Sequence, residues 1–159
     1  MDSFFNSLLF FWTAYIVSNL LAFGLAFGSF RFPVITRLAL FLLFILAFWI
    51  NFSTALDAPW VYRDYADSAI LPFKNFILEL SEQSMKLLVL VIAFGQLLIA
   101  VSMLLKGIIF KMGCWGGIIF GLAIAPLGLY AGFPATLMMA LAFYQLYRRN
   151  DVLYFWIRD

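Results

Sequence analysis

An all-α, polytopic bundle of transmembrane helices is the fold class this sequence predicts, and three observations predict it. The composition is 66% hydrophobic and only 11% charged, whereas an ordinary soluble domain is nearer half apolar. Uncharged apolar runs recur at Leu8 to Phe30, Leu38 to Leu56, Leu87 to Leu105 and Met112 to Tyr147, the shortest of them 19 residues long. Such a run makes a helix of roughly 28 Å, about the thickness of a bilayer's hydrocarbon core. Third, Trp49, Trp60 and Tyr62 gather at the end of the second run, where tryptophan and tyrosine mark the headgroup level.

The 159 residues form one predicted membrane domain, 1–159. The net charge is +2, and no basic tract is present that could track a phosphate backbone, which argues against a nucleic-acid partner. The single cysteine excludes an intrachain disulfide. The absence of histidine excludes bis-His haem, most zinc sites and a His-based nucleophile triad. No metal site and no cofactor are predicted from the residues themselves.

Residues 8–30 form the first predicted helix. The segment before it carries Asp2 and no lysine or arginine, unlike a cleaved secretory signal with its basic n-region, so this helix is expected to be retained. Gly24 and Gly28 have the four-residue spacing of a close-approach strip. Asn19 is a candidate polar contact, across a helix interface or to its own backbone, or a ligand group. Residues 31–37 read as a short connection with a proline turn at Pro33, and residues 38–56 as the second helix. Asn51-Phe52-Ser53 is formally a glycosylation sequon but lies too near the membrane for weight to be placed on it.

Residues 57–83 are the extramembrane segment. Phe73, Phe76, Ile77 and Leu80 fall at helical spacing, so a short amphipathic helix over about 73–82 is expected, with Pro72 able to open it. Arg63, Asp64 and Asp67 are the candidate partner contacts here.

The third predicted crossing spans 84–105, with Gln96 near its middle; a buried glutamine needs partners in the bundle or from a ligand. Lys106 to Lys111 reads as a basic turn. The fourth crossing, 112–131, repeats small residues at Gly113, Gly117 and Gly121, predicting a very close neighbour, and Pro126 is expected to kink it. Cys114 is a thiol near its start.

The run from Met112 to Tyr147 is 36 residues long, roughly 54 Å as one helix, against about 45 Å for a bilayer with its headgroups. It is therefore predicted to turn back at Gly132-Phe133-Pro134, with a fifth helix over 134–150. Asp151 to Asp159 is an aromatic tail suited to the interface.

Five crossings place Arg31/Arg37, Lys106/Lys111 and Arg148/Arg149 on one side and the net acidic segment 57–86 on the other, the positive-inside pattern. Four crossings, with 112–147 as one tilted helix, are the alternative. The five-crossing reading puts the N-terminus outside and the basic loops in the cytoplasm of a bacterial inner membrane. All Asp, Glu, Lys and Arg lie at boundaries. Arg37, Lys106, Lys111 and Arg148 are read as solvated or snorkelled anchors, which weakens an ion-coupled transporter reading.

From about Arg37 to Arg149, an acidic outer loop, a helix with Gly95 near its middle, a basic turn, a helix opening Gly113-Cys-Trp-Gly-Gly117 and a short last helix resemble the DoxX family of small bacterial membrane proteins. The resemblance implies a four-helix unit and a link to quinone-coupled redox systems, with quinone or flavin as the cofactor. Where that family commonly has an acidic residue near the start of the helix matching Leu87 to Leu105, the nearest here is Glu82, and residues 8–30 would be an added helix. The function expected is an accessory or structural subunit of a larger membrane complex, which requires nothing that the sequence fails to provide; the alternatives are a DoxX-like redox subunit and a small-molecule membrane carrier lined by Asn19, Gln96 and the helix near Pro126. The partners expected are membrane lipids and another membrane subunit or a second copy.

Overall fold

The computed structural model describes residues 2–149, with side chains from residue 9 onward. The aromatic tail lies outside them. All regular structure among the described residues is helical: α1 (Asp2–Arg31), α2 (Pro33–Asp57), a 3-10 helix (Pro59–Asp67), α3 (Leu71–Glu79), α4 (Glu82–Leu104), α5 (Gly107–Ile124), two short 3-10 turns (Ala125–Leu127 and Leu129–Ala131) and α6 (Ala135–Arg148). Four of these segments, Leu9–Arg31, Pro33–Asp57, Glu82–Leu104 and Gly107–Leu127, are long and apolar enough to cross a membrane. α6 has 14 residues, roughly 21 Å, less than the hydrocarbon core.

Boundaries differ from the sequence reading where proline and arginine behave differently from expectation. α2 begins at Pro33 rather than at 38, because proline at the first helical position gives up an N–H that has no intrahelical acceptor anyway. The connection shrinks to Phe32. α5 begins at Gly107, so Lys111 lies inside the helix and the anticipated basic turn is its first turn. Pro126 does not kink α5; the helix stops at Ile124 and the chain continues as 3-10 turns, since proline cannot extend the α-ladder. α3 starts two residues earlier than expected, with Pro72 in its first turn. Ser81, whose Oγ accepts from Ser84 N at 3.2 Å, then caps α4.

α2 packs along α4, α4 against α5, and α6 against both α1 and α5. Leu40, Phe44, Met103, Cys114, Phe143 and Leu146 form the central cluster, with Phe44 edge-on to Phe143 at 5.4 Å and to Phe120 at 5.5 Å, a geometry that suits the ring quadrupoles. A second cluster of Ala55, Ala66, Ile77, Met85 and Val89 seats the 3-10 helix and α3 on the end of the bundle.

Arg37 overturns the expectation of a solvated anchor. It is 0% exposed, its Nε donates to Met103 O at 2.9 Å, a second guanidinium nitrogen donates to Leu105 O, and its Cζ lies 4.3 Å from the Phe110 ring centroid. The unsatisfied carbonyls at the end of α4 supply what water was expected to supply.

The glycines divide. A Cβ at Gly113 would stand 1.6 Å from Ser102 Oγ of α4, one at Gly117 would stand 2.4 Å from the Phe143 ring, and one at Gly121 would stand 2.6 Å from Thr136 O and 3.0 Å from the Ala140 Cβ. On α1, Gly28 would meet Thr36 Oγ1 at 2.7 Å, but Gly24 faces open space. The small residues that α1 buries are instead Ala22, Ala26 and Ser29. Gly24→Ala is therefore expected to leave thermal unfolding in detergent unchanged or slightly raised, since alanine favours helix by about 1 kcal/mol. Gly121→Ala must push α6 away by its backbone and is expected to cost about 1–3 kcal/mol. Equal unfolding temperatures for the two variants would contradict this assignment of helix faces.

Candidate ligand cavity

Two helix faces define a cavity of about 480 Å³ between α2 and α4. Leu43, Phe44, Ala47 and Asn51 recur at three- and four-residue steps along α2, and Met85, Leu88, Val89, Ile92 and Gln96 do the same along α4, so each set lies on one face. α5 and α6 close the side with Phe120, Ile124, Thr136 and Met139. The roof comes from the segment between α2 and α4: Tyr62 and Tyr65 from the 3-10 helix, Phe73 and Ile77 from α3, with Phe76 and Tyr130 at the rim, 52% and 49% exposed. The volume falls within the usual range for small-molecule sites.

A hydrogen-bonded relay crosses the wall. The Tyr62 hydroxyl donates to Asn51 Oδ1 at 2.8 Å, and Asn51 Nδ2 donates to Gln96 Oε1 at 2.8 Å. It links the extramembrane segment to α2 and α4. Gln96 is 3% exposed, so the relay offsets part of the desolvation of its amide. On the α6 side Thr136 is 4% exposed, and its hydroxyl has no hydrogen-bond partner among the described residues.

Burial pushes the Tyr62 phenol up to about 12, with the neighbouring Tyr65 adding to the shift and a Thr54 hydrogen bond opposing it. Burial also raises Tyr65, and the two rings stack at 5.9 Å and 13°. A phenol raised in the folded state keeps its full contribution below pH 10 and loses it as pH climbs toward 12. The unfolding temperature is therefore expected to be insensitive to Tyr62 ionisation up to pH 10 and to fall above it. Tyr62→Phe should show a shallower alkaline fall; an unchanged slope would count against a buried phenol.

The roof is stitched down at one point. Ser68 Oγ donates to Leu127 O at 2.7 Å and accepts from Tyr130 N at 3.1 Å, while Ile70 N donates to Pro126 O at 3.0 Å. Gly128 lies beneath, at φ 77°, where a Cβ would be 2.1 Å from Ser68 O.

Of the residues singled out in the sequence, Gln96 lies on the cavity wall. Asn19 does not; its Nδ2 donates to Tyr15 O of its own helix at 2.9 Å. Arg63, Asp64 and Asp67 are exposed on the 3-10 helix, and Arg63 donates to Leu80 O at 3.2 Å. They lie outside the cavity lining. Asn51, Tyr62, Ser68 and Thr136 were missed as site residues. Asn51 carried the same signal as Gln96, an amide inside an apolar run, but was read only as a sequon. Ser29 and Gln145 were missed as well: the serine hydroxyl donates to Gln145 Oε1 across the α1–α6 contact. Among the described residues no group of three or more His, Cys, Asp or Glu is placed to hold a metal ion.

Compared with known protein families, curated proteins and solved structures, the chain matches none, so the DoxX-like resemblance draws no support from them.

Proposed function

We propose that this chain is a membrane-embedded binding protein of the carrier type, which holds an amphiphilic small molecule between α2 and α4 beneath the extramembrane segment. The observation that carries this reading is the cavity itself: apolar walls with a few convergent polar groups, of a size suited to a ligand. The half-exposed Phe76 and Tyr130 at its rim offer a way in without unfolding the bundle.

The test is to purify the full chain in mild detergent, extract it with organic solvent and identify bound amphiphiles by mass spectrometry, alongside Ala47→Phe. Ala47 lines the cavity, and phenylalanine there projects a ring into it. A molecule retained by the wild type and reduced at least about tenfold in the variant, at an unfolding temperature within about 4 °C, is the expected result. Equal retention by both proteins, or none by either, would refute the reading.

In this reading the chain crosses the bacterial inner membrane five times, with α6 as a short last crossing whose Arg148 snorkels to the interface, and with the cavity roof outside. Its support is the charge bias of the loops. Single cysteines at Asp67 and Arg149 should react with a membrane-impermeant maleimide from opposite sides of the membrane; labelling from one side would exclude it. The accessory-subunit reading rests on a different observation, the exposed Arg63, Asp64 and Asp67. If it holds, Arg63→Glu with Asp67→Lys releases a copurifying partner, and unchanged copurification rejects it.

A further inference from the structure

The chemistry of the cavity wall narrows what its occupant can be. Resting on the cavity reading above, we infer that the occupant's polar end is uncharged and carries a hydrogen-bond-accepting oxygen of the ester or ketone type, held at the Asn51–Gln96 amides, with an apolar chain filling the rest.

Three observations converge on this. First, the lining residues include no Asp, Glu, Lys, Arg or His. An ionised carboxylate, phosphate or ammonium placed here would lose its hydration without meeting a counter-charge, at several kcal/mol per ion. The nearby charged side chains do not remedy that, because Arg63, Asp64 and Asp67 are exposed outside the lining. An uncharged head avoids the penalty.

Second, the relay runs in one direction. Tyr62 donates to Asn51, and Asn51 donates to the Gln96 carbonyl, so both amide oxygens already accept while Gln96 Nε2 keeps both of its N–H groups outside the relay. A carbonyl oxygen on the occupant, which accepts and cannot donate, meets those donors.

Third, Gln96 brings those donors to the cavity. It lies on the lining at 3% exposure, and leaving a buried amide donor unsatisfied costs about 1–3 kcal/mol, which an accepting oxygen on the occupant would offset. Thr136, across on α6, contributes no donor, because its hydroxyl is buried out of reach of the cavity. The remaining lining, from Leu43 and Phe44 to Ile92 and Met139, is apolar and suits a hydrocarbon chain.

The experiment uses the full chain in detergent micelles and three probes with the same 16-carbon chain and a diazirine near its end, differing only at the head: a methyl ester, a carboxylate and a plain methyl group. Each is photolysed over a range of mole fractions, and labelled residues are mapped by peptide mass spectrometry. The ester is expected to label cavity residues at a mole fraction at least about tenfold below that required by the carboxylate at pH 8. Gln96→Met, which keeps the reach of the side chain and removes its amide donors, should lower the ratio of ester to methyl-probe labelling about fivefold, the loss of one neutral hydrogen bond; labelling by the methyl probe reports that the cavity persists in the variant. Carboxylate labelling as strong as the ester's, ester labelling no better than the methyl probe's, or an unchanged ratio in Gln96→Met would overturn the inference while leaving the cavity reading intact. Cavity residues labelled by none of the probes would overturn both.

Discussion

Arg37→Met is expected to destabilise this protein by about 3–5 kcal/mol, the scale on which a buried, hydrogen-bonded charged group fails when removed. The guanidinium of Arg37 is fully buried and joins three helices. It is carried by α2, it donates to Met103 O and Leu105 O at the end of α4, and it lies over Phe110 in the first turn of α5. The last carbonyls of a helix have no intrahelical donor and carry the negative end of its dipole. A planar cation with a fixed fork of donors answers both needs at once. Methionine has a similar reach but no donor, so those carbonyls become buried acceptors without partners, each costing about 1–3 kcal/mol, and the contact with Phe110 loses its charge.

Arg37→Lys separates charge from geometry. The ammonium keeps the favourable end-of-helix charge but cannot reproduce the fork, so a loss of about 1–2 kcal/mol is expected, between wild type and methionine. The measurement is thermal unfolding of detergent-purified protein together with the yield of monodisperse material. Methionine and lysine variants unfolding within about 2 °C of wild type would show that Arg37 is dispensable to the α2–α4–α5 junction.

Gly128→Ala is the second large effect, and it falls on the roof of the cavity. Two separate penalties meet there. Gly128 adopts φ 77° and ψ −146°, a region that is essentially glycine-only and costs an L-residue about 1–3 kcal/mol. A Cβ would also stand 2.1 Å from Ser68 O, a backbone atom that cannot rotate away. The strand of chain around Ser68 must lift, and it carries the hydrogen bonds of Ser68 Oγ with Leu127 O and Tyr130 N and that of Ile70 N with Pro126 O.

Loosening of the extramembrane segment over the cavity is therefore expected, with faster proteolysis between residues 57 and 86 and loss of any retained amphiphile. Gly132→Ala is the matched control. It too has φ 77°, but its Cβ would find only Ser18 Oγ at 3.8 Å, so it should show backbone strain of about 1 kcal/mol and no opening of the roof. Proteolysis that is unchanged in Gly128→Ala, or equally increased in both, would show that the Ser68 contact does not hold the roof.

These residues also mark how far the sequence could be read. Leu9–Arg31, Pro33–Asp57, Glu82–Leu104 and Gly107–Leu127 were legible as helices because hydrophobic length is a local property, and because a backbone in lipid must satisfy its hydrogen bonds within its own segment. The turn near Gly132-Phe133-Pro134 was legible for the same reason of length. Gln96 was legible as a group in need of partners, since an amide in an apolar run carries its desolvation cost wherever it packs.

What Gln96 pairs with was decided only by tertiary structure. Its partner Asn51 lies 45 positions earlier, and Tyr62 joins them from a 3-10 helix that no hydrophobic period announces. The same holds for Gly24 and Gly28: equal spacing, yet one faces open space and the other the neighbouring helix, because spacing sets a helical face but not which way that face turns. Arg37 was misread as solvated for a related reason. By composition alone the chain determined that it would fold as membrane-length helices; which boundary charge turns inward depends on another helix ending beside it with carbonyls to satisfy, and that is a property of packing between segments far apart in the chain.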